Sequence, residues 1–483
     1  FEKIMKNPLY FSPGICFSSD MISLDKAAEI FEAGKDAVVS KLRELSAEID
    51  RLKGLSPDSP TTPSGQKPPF LKKDKKKHSK RPGQKSGHKG TSRSALRPED
   101  AHKTIRHTLE ECPHCQTSLA ESAAQTRNRV IEDIPDVTVE VVNHVLERKW
   151  CPCCKKQVEA PMTEAMPGSV IGIRLAVFSA FLHYFVGVSL RNIKLLLRVS
   201  SGHSVSIGGL FQIWERLAGL LEVEYDRIAS QIRMAKVVGG DETGWRISGK
   251  LAWLWTLVTE DACIYLIEPF RNGKVVKRFL GKKFNGSLSC DFWGAYNKVY
   301  AAYKQRCLYH LFTELKKVDN KEPSEAWKAW RKSLSRVLKD AIRLSRRYDR
   351  IPDKDYARLQ AYITGRFEAI ITVASSDADV KRLCKRLLRH KNEIFTFLDN
   401  PAVSPYNNLA ERSLRPSVLM RKISQQNRSL KAARVQAILM TLFRTAHVRG
   451  QNPFETVLEM TKNLIAPSLR LHSNCDMKEK LAA

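Results

Sequence analysis

Three acidic residues stand where they could hold metal ions. The apolar run Lys236-Val237-Val238-Gly239-Gly240 closes on Asp241, and Leu288-Ser289-Cys290 closes on Asp291. The third, Glu411, lies in Asn407-Asn408-Leu409-Ala410-Glu411-Arg412-Ser413-Leu414-Arg415, where Pro405 and the paired asparagines supply a helix start. Carboxylates are the ligands that hard cations such as Mg²⁺ or Mn²⁺ prefer. Two such ions about 4 Å apart activate a water or a 3′-hydroxyl and stabilise the leaving oxygen of a phosphoryl displacement. The pattern therefore predicts a two-ion centre on Asp241, Asp291 and Glu411. On a helix, Glu411 shares a face with Asn407, Asn408 and Arg415, which suits a metal beside a phosphate; on an isolated helix Glu411 and Arg415 would be only an i,i+4 surface pair. Asn408 is an accessory candidate, as is His310 in Arg306-Cys307-Leu308-Tyr309-His310. Glu242 is expected to point to the other side of its strand, as a decoy rather than a ligand.

Four of the eleven cysteines form two pairs, Cys112-Pro113-His114-Cys115 and Cys151-Pro152-Cys153-Cys154. Each Cys-x-x-Cys turn can bring two thiolates onto one tetrahedral Zn²⁺, so one structural Zn²⁺ is predicted on Cys112, Cys115, Cys151 and Cys154. Cys153 is a competing thiol. The odd cysteine total suits a reducing compartment better than a disulfide framework. The two pairs stand 35 residues apart, which calls for a hairpin in the gap, and Val137, Val139 and Val141 alternate there as a strand would.

These residues need elements to position them. From Ala235 three strand candidates follow one another with short turns, then a helical piece over 274–280, then the strand ending at Asp291. This β-β-β-α-β order is what a ribonuclease-H-like fold uses to bring two aspartates to the centre of a sheet. The interval between Asp291 and Glu411 is far longer than one strand and one helix require, and its excess, rich in Arg, Lys, Leu and Trp with helical periodicity, predicts a helical insertion.

Lys plus Arg number 81 against 51 Asp plus Glu, a net charge of +30. Such a surplus favours a polyanion, with nucleic acid as the first candidate and an anionic membrane surface as the competitor. No apolar run reaches the roughly 18 residues of a membrane span, so a membrane partner is not expected; the chain begins at Phe1 rather than Met, which leaves an upstream targeting signal open. The expected organisation is a multidomain α+β protein. Residues 1–55 carry an amphipathic helix, over 22–53, with a coiled-coil alternative, and 56–98 a basic flexible linker. Cations there (Lys72, Lys73, Lys75, Lys76, Lys77, Arg81, Lys85 and Lys89) suit phosphate contact, as do Arg412 and Arg415. Residues 99–160 form the zinc-binding module and 161–234 a helical DNA-binding domain, in which a helix-turn-helix would start its second helix near Ser206. The catalytic core occupies 235–317 and 401–425, split by the insertion at 318–400. Residues 426–483 form a C-terminal helical region.

Taken together, Gly240-Asp241-Glu242-Thr243-Gly244-Trp245, Cys290-Asp291-Phe292-Trp293-Gly294-Ala295-Tyr296, Arg306-Cys307-Leu308-Tyr309-His310 and Asn407-Asn408-Leu409-Ala410-Glu411-Arg412 followed by Arg415-Pro416 resemble the insertion-sequence-66 family of transposases. The linker and the cysteine pairs resemble that family's N-terminal half. The resemblance implies a DDE-type transposase with Asp241, Asp291 and Glu411 as catalytic acids. It further implies binding to the element's terminal inverted repeats and to target DNA, a multimer on paired ends, accessory proteins of the same element, and a place on the bacterial nucleoid in the cytoplasm. Tyr406 stands where such transposases often carry an acid, which puts the cap of the glutamate helix in doubt. Two alternatives stay open: a catalytically silent DNA-binding regulator derived from a transposase, and a ribonuclease-H-like nuclease acting on RNA or junctions.

Overall fold

The computed structural model describes residues 31–34, 36–44, 96–119, 126–134, 137–153, 155–321 and 323–468, and the chain divides after Arg81 into two compact units. In the first, the helix expected over 22–53 is not continuous. Helical turns at 31–32 and 36–44 are separated by Gly34, whose φ of +94° lies in the left-handed region that breaks an α-helix.

In the second unit, β1 (Arg148–Cys151) and β2 (Lys156–Glu159) form an antiparallel hairpin with Trp150 opposite Gln157. Among the described residues the hairpin thus straddles the second cysteine pair, with only β1 reaching back into the end of the gap between the pairs. The alternating valines before it make no strand, and Val141 is 91% exposed. Alternation stabilises a strand only when a partner completes the ladder and a core receives one face.

The central sheet has the order β5-β4-β3-β6-β7. Strand β3 (Val237–Ile247) pairs antiparallel with β4 (Lys250–Val258), and β4 with β5 (Cys263–Glu268), as the short turns predict. The chain then crosses through helix α4 (Gly273–Leu280) to β6 (Phe284–Cys290), which runs parallel to β3, and β7 (Ala301–Arg306) runs parallel to β6. The helical linkage makes the parallel pairing feasible, since parallel neighbours need a crossover. Helices α1 (Ile173–Phe181), α2 (Leu190–Ser201) and α3 (Ile207–Met234) precede the sheet. Ser206 caps α3 by accepting from the Gly209 amide at 2.9 Å. Trp214, Leu217 and Tyr225 of α3 join the same core as the sheet, and the Tyr225 hydroxyl donates to the main chain of Tyr265 in β5 at 2.9 Å.

After β7, helices α5 (Leu308–Asp319), α6 (Glu325–Ser345), α7 (Asp353–Ile371), α8 (Ala378–Arg389) and α9 (Thr396–Asp399) enclose a second core around Trp327, Leu334, Phe367, Leu383 and Phe397. The chain returns to the sheet as α10 (Asn408–Ser424), followed by α11 (Leu430–Val448) and α12 (Pro453–Ser468). Strand β5 is an edge, and α11 covers it: Thr441 and Thr445 accept the main-chain amides of Tyr265 and Cys263 at 3.0 and 3.2 Å. Main-chain donors that would otherwise recruit a foreign strand are thereby satisfied.

Candidate functional site

Strand register brings the first two acids together. Gly239 of β3 lies opposite Ser289 of β6 in a parallel pair. Two residues further on stand Asp241, within β3, and Asp291, just past the end of β6, so the shared register brings both to the same level of neighbouring strands. Asp291 directly follows β6 and accepts the amide of Trp293 on Oδ1 at 2.9 Å, which fixes its carboxylate just beyond the strand tip.

Glu411 arrives from α10, which lies across β3. The fit depends on glycine: a Cβ on Gly239 would meet Asn407 Oδ1 at 2.9 Å and Ala410 Cβ at 3.5 Å. Asn407 is 2% exposed, and its amide donates to the carbonyl of Gly240 at 2.8 Å. This bond ties the start of α10 to the residue beside Asp241. Because its side chain is used there, Asn407 occupies the helix N-cap without capping it. Asn408, the accessory candidate, is exposed. Further along α10, Arg421 donates to Thr243 Oγ1 of β3 at 3.1 Å.

An open cleft of about 450 Å³ is lined by Asp241, Glu242, Thr243, Glu411 and Arg415, with Leu414, Val418 and Leu419. Arg412 and Arg415 are exposed. Glu411 lies 3.6 Å from His310 Nδ1, and no Glu411–Arg415 ion pair forms among the described residues. Burial pushes the Asp241 carboxyl well above the usual range, and the charges of Glu242, Asp291 and Glu411 push it the same way. The uncompensated negative charge fits divalent cations. A single ion does not gather all three acids, since Asp241, Asp291 and Glu411 are not all mutually within 4.8 Å among the described residues; a pair of ions spans a wider set of ligands.

Glu242 is not remote from this charge. Its carboxylate, 1% exposed, accepts from Arg271 at 2.9 and 3.1 Å and from the Tyr296 hydroxyl at 2.7 Å. Burial, then Asp291, pushes its pKa up to about 7 despite Arg271. The Arg271 guanidinium is held between Trp253 and Trp293, 4.5 and 4.0 Å from the ring centres. Strand alternation thus turns Glu242 onto its own partners while leaving its charge in the cleft.

The sequence singles out His310 alone; Cys307, three residues before it at the N-cap of α5, carries the i,i+3 spacing that would pair the two. The Cys307 thiol, pushed up to about 11 by burial, accepts the Asn407 amide at 3.2 Å.

The first cysteine pair sits on a tight turn. The Gln116 amide donates to the Cys112 carbonyl at 2.8 Å, and Gln116 has φ +59°. Hydrogen bonds from Thr117 hold the Cys115 thiol below its usual pKa, favouring the thiolate that a metal needs. Cys151 ends β1 at a turn whose Lys155 is also left-handed, φ +47°. The turns and thiols fit Zn²⁺, although Cys112, Cys115 and Cys151 are not mutually within 4.8 Å among the described residues. Cys154 lies outside the described residues, as do Lys72, Lys73, Lys75, Lys76, Lys77, Arg81, Lys85 and Lys89.

On this mixed α/β fold, residues 110–155 match the zinc-finger binding domain of transposase IS66, which defines the class: a DNA-binding transposase with a zinc-finger domain. Residues 168–435 match the family described as Transposase IS66 family. That match spans more than half of the chain, which belongs to this family. The chain is also similar to a protein of Sinorhizobium fredii (strain NBRC 101917 / NGR234) named "Uncharacterized protein y4jD", with 22% identity over 401 residues, 75% of this chain and 76% of that protein. Among the described residues, no helix is long and apolar enough to cross a membrane.

Proposed function

We propose that this transposase cleaves and rejoins DNA at the terminal inverted repeats of a bacterial insertion sequence, in a ribonuclease-H-like core whose metal ligands are Asp241, Asp291 and Glu411. The observation that carries the reading is the convergence of the three acids by independent means: parallel register for the aspartates, and the Asn407–Gly240 bond for the helix of Glu411. The sheet order, with three antiparallel strands continued by two parallel ones, supports the core assignment. Residues 235–317 and 401–425 are its two parts, and the helices over 318–400 are an insertion.

Two Mg²⁺ or Mn²⁺ ions would supply the Lewis acidity for in-line phosphoryl displacement. The chain's own groups do the rest. Asp241, pushed towards its protonated form by burial and then by its acidic neighbours, would give up that proton on holding a cation. Arg415, on the wall of the cleft, orients a phosphate next to Glu411, and exposed Arg412 adds backbone contact. Arg271 and Tyr296 hold Glu242 in place so that it does not compete for the ions. Lys72 to Lys77, Arg81, Lys85 and Lys89 add contacts that do not read sequence, Zn²⁺ orders the cysteine module, and the enzyme acts at the nucleoid as a multimer with accessory proteins of its element.

The test uses element-end DNA and an RNA–DNA hybrid side by side. Asp241→Asn, Asp291→Asn and Glu411→Gln should each lower Mg²⁺-dependent cleavage of the DNA by more than the ~10–100-fold typical of losing an outer-shell partner, with DNA binding by gel shift retained. Cleavage that survives these changes, or that is confined to the hybrid, overturns the reading.

A further inference from the structure

We propose that Cys307, His310 and Glu411 form a separate cation site that takes a borderline-soft divalent ion such as Zn²⁺, with Co²⁺ as its probe. One donor atom from each residue lies within 4.8 Å of the other two. His310 Nδ1 and Glu411 Oε1 are 3.6 Å apart, too far for a hydrogen bond, and both atoms are buried with no hydrogen-bond partner. Buried polar atoms left in this state call for a ligand or ion between them. Bonds of about 2.0–2.2 Å around a tetrahedral ion place neighbouring donors roughly 3.4 Å apart, close to the spacing observed.

The donor set decides the ion. One sulfur, one imidazole nitrogen and one carboxylate oxygen suit Zn²⁺ or Co²⁺, whereas Mg²⁺ takes oxygen alone. The frame is built to hold them. Cys307 is the N-cap of α5 and His310 lies in its first turn, and Glu411 lies in the first turn of α10. The two helix starts are stitched by the main-chain N–H of Leu308 donating to the Pro405 carbonyl at 2.9 Å and by the main-chain N–H of Asn407 donating to the Cys307 sulfur at 3.2 Å. Three protein ligands leave a fourth position for water or a phosphate oxygen. Because Glu411 belongs to both sets of ligands, an ion held here withdraws it from the two-ion centre, so zinc acts as a brake.

The experiment titrates the full-length, zinc-loaded protein with Co²⁺ and reads bound metal together with the near-ultraviolet thiolate-to-cobalt band. Wild type should take up about one further ion per chain, with a new thiolate band. His310→Ala should lose that ion, and Cys307→Ser should lose the band. Cys307 is buried, so its variant is scored only alongside His310→Ala, whose side chain is 39% exposed. Equal uptake and equal bands in wild type and His310→Ala overturn the proposal. Metal uptake needs no catalytic turnover: a protein that cleaves nothing yet binds the extra ion fails only the functional reading, and the converse fails only this one.

Discussion

The guanidinium of Arg306, wholly enclosed, donates to the main-chain oxygen of Asp291 at 2.7 Å. The same group donates to Glu393 Oε2 at 2.6 Å and to Asn297 Oδ1 at 2.7 Å. Glu393 belongs to the helical segment between Asp291 and Glu411, so one buried cation joins that segment to the strand tip carrying Asp291.

Removing it should be costly. Arg306→Met leaves Glu393 with His390 and the more distant Lys304 and should destabilise the protein by about 3 kcal/mol, towards the lower end for a buried pair broken on one side. The urea midpoint measures this, and a higher Mg²⁺ requirement for cleavage in Arg306→Lys, which keeps the charge, would show that Asp291 has moved.

The same pair gives an acid limb. Burial alone would raise the Glu393 carboxyl, but hydrogen bonds from His390 and Arg306 and the Arg306 charge hold it down at about 2. A carboxyl lowered in the fold contributes stability above its unfolded value of 4.5, and that contribution drains away as pH falls from 4.5 towards 2. The pH slope of the melting temperature below 4.5 should flatten in Glu393→Gln; an unchanged slope would place the acid sensitivity elsewhere.

Gly239→Ala should cost about 1–3 kcal/mol, because a methyl there drives against the Asn407 amide oxygen. Gly219→Ala is the control. It lies exposed within α3 with nothing within 4 Å of the added carbon, and it should stabilise by about 0.5–1 kcal/mol. Chemical denaturation of the two variants should move in opposite directions.

Protein purified without chelator should contain about one tightly held Zn²⁺ per chain, lost in Cys112→Ser or Cys151→Ser. Metal analysis decides it, and a zinc-free wild type would contradict the assignment of these thiols.

Much of the molecule could be read along the chain. The meander over β3 to β5, the acids at strand ends and the cysteine pairs depend on neighbours in sequence, where periodicity and turn residues act. Local pattern failed in two places: Val137, Val139 and Val141 alternate without forming a strand, and left-handed Gly34 interrupts the helix expected over 22–53.

Sequence by itself determined the inventory: which acids, thiols and cations exist, and the order in which strands and helices deliver them. Tertiary structure alone decided their pairings. It chose Asn407 over Asn408, gave Glu242 to Arg271 and Tyr296, and set Glu411 against His310 and not Arg415. Such choices rest on contacts like that of Asn407 with Gly240, 167 residues apart. Their energy comes from packing a helix onto a particular strip of sheet, where one absent Cβ matters, and no pattern within a single helix carries that information.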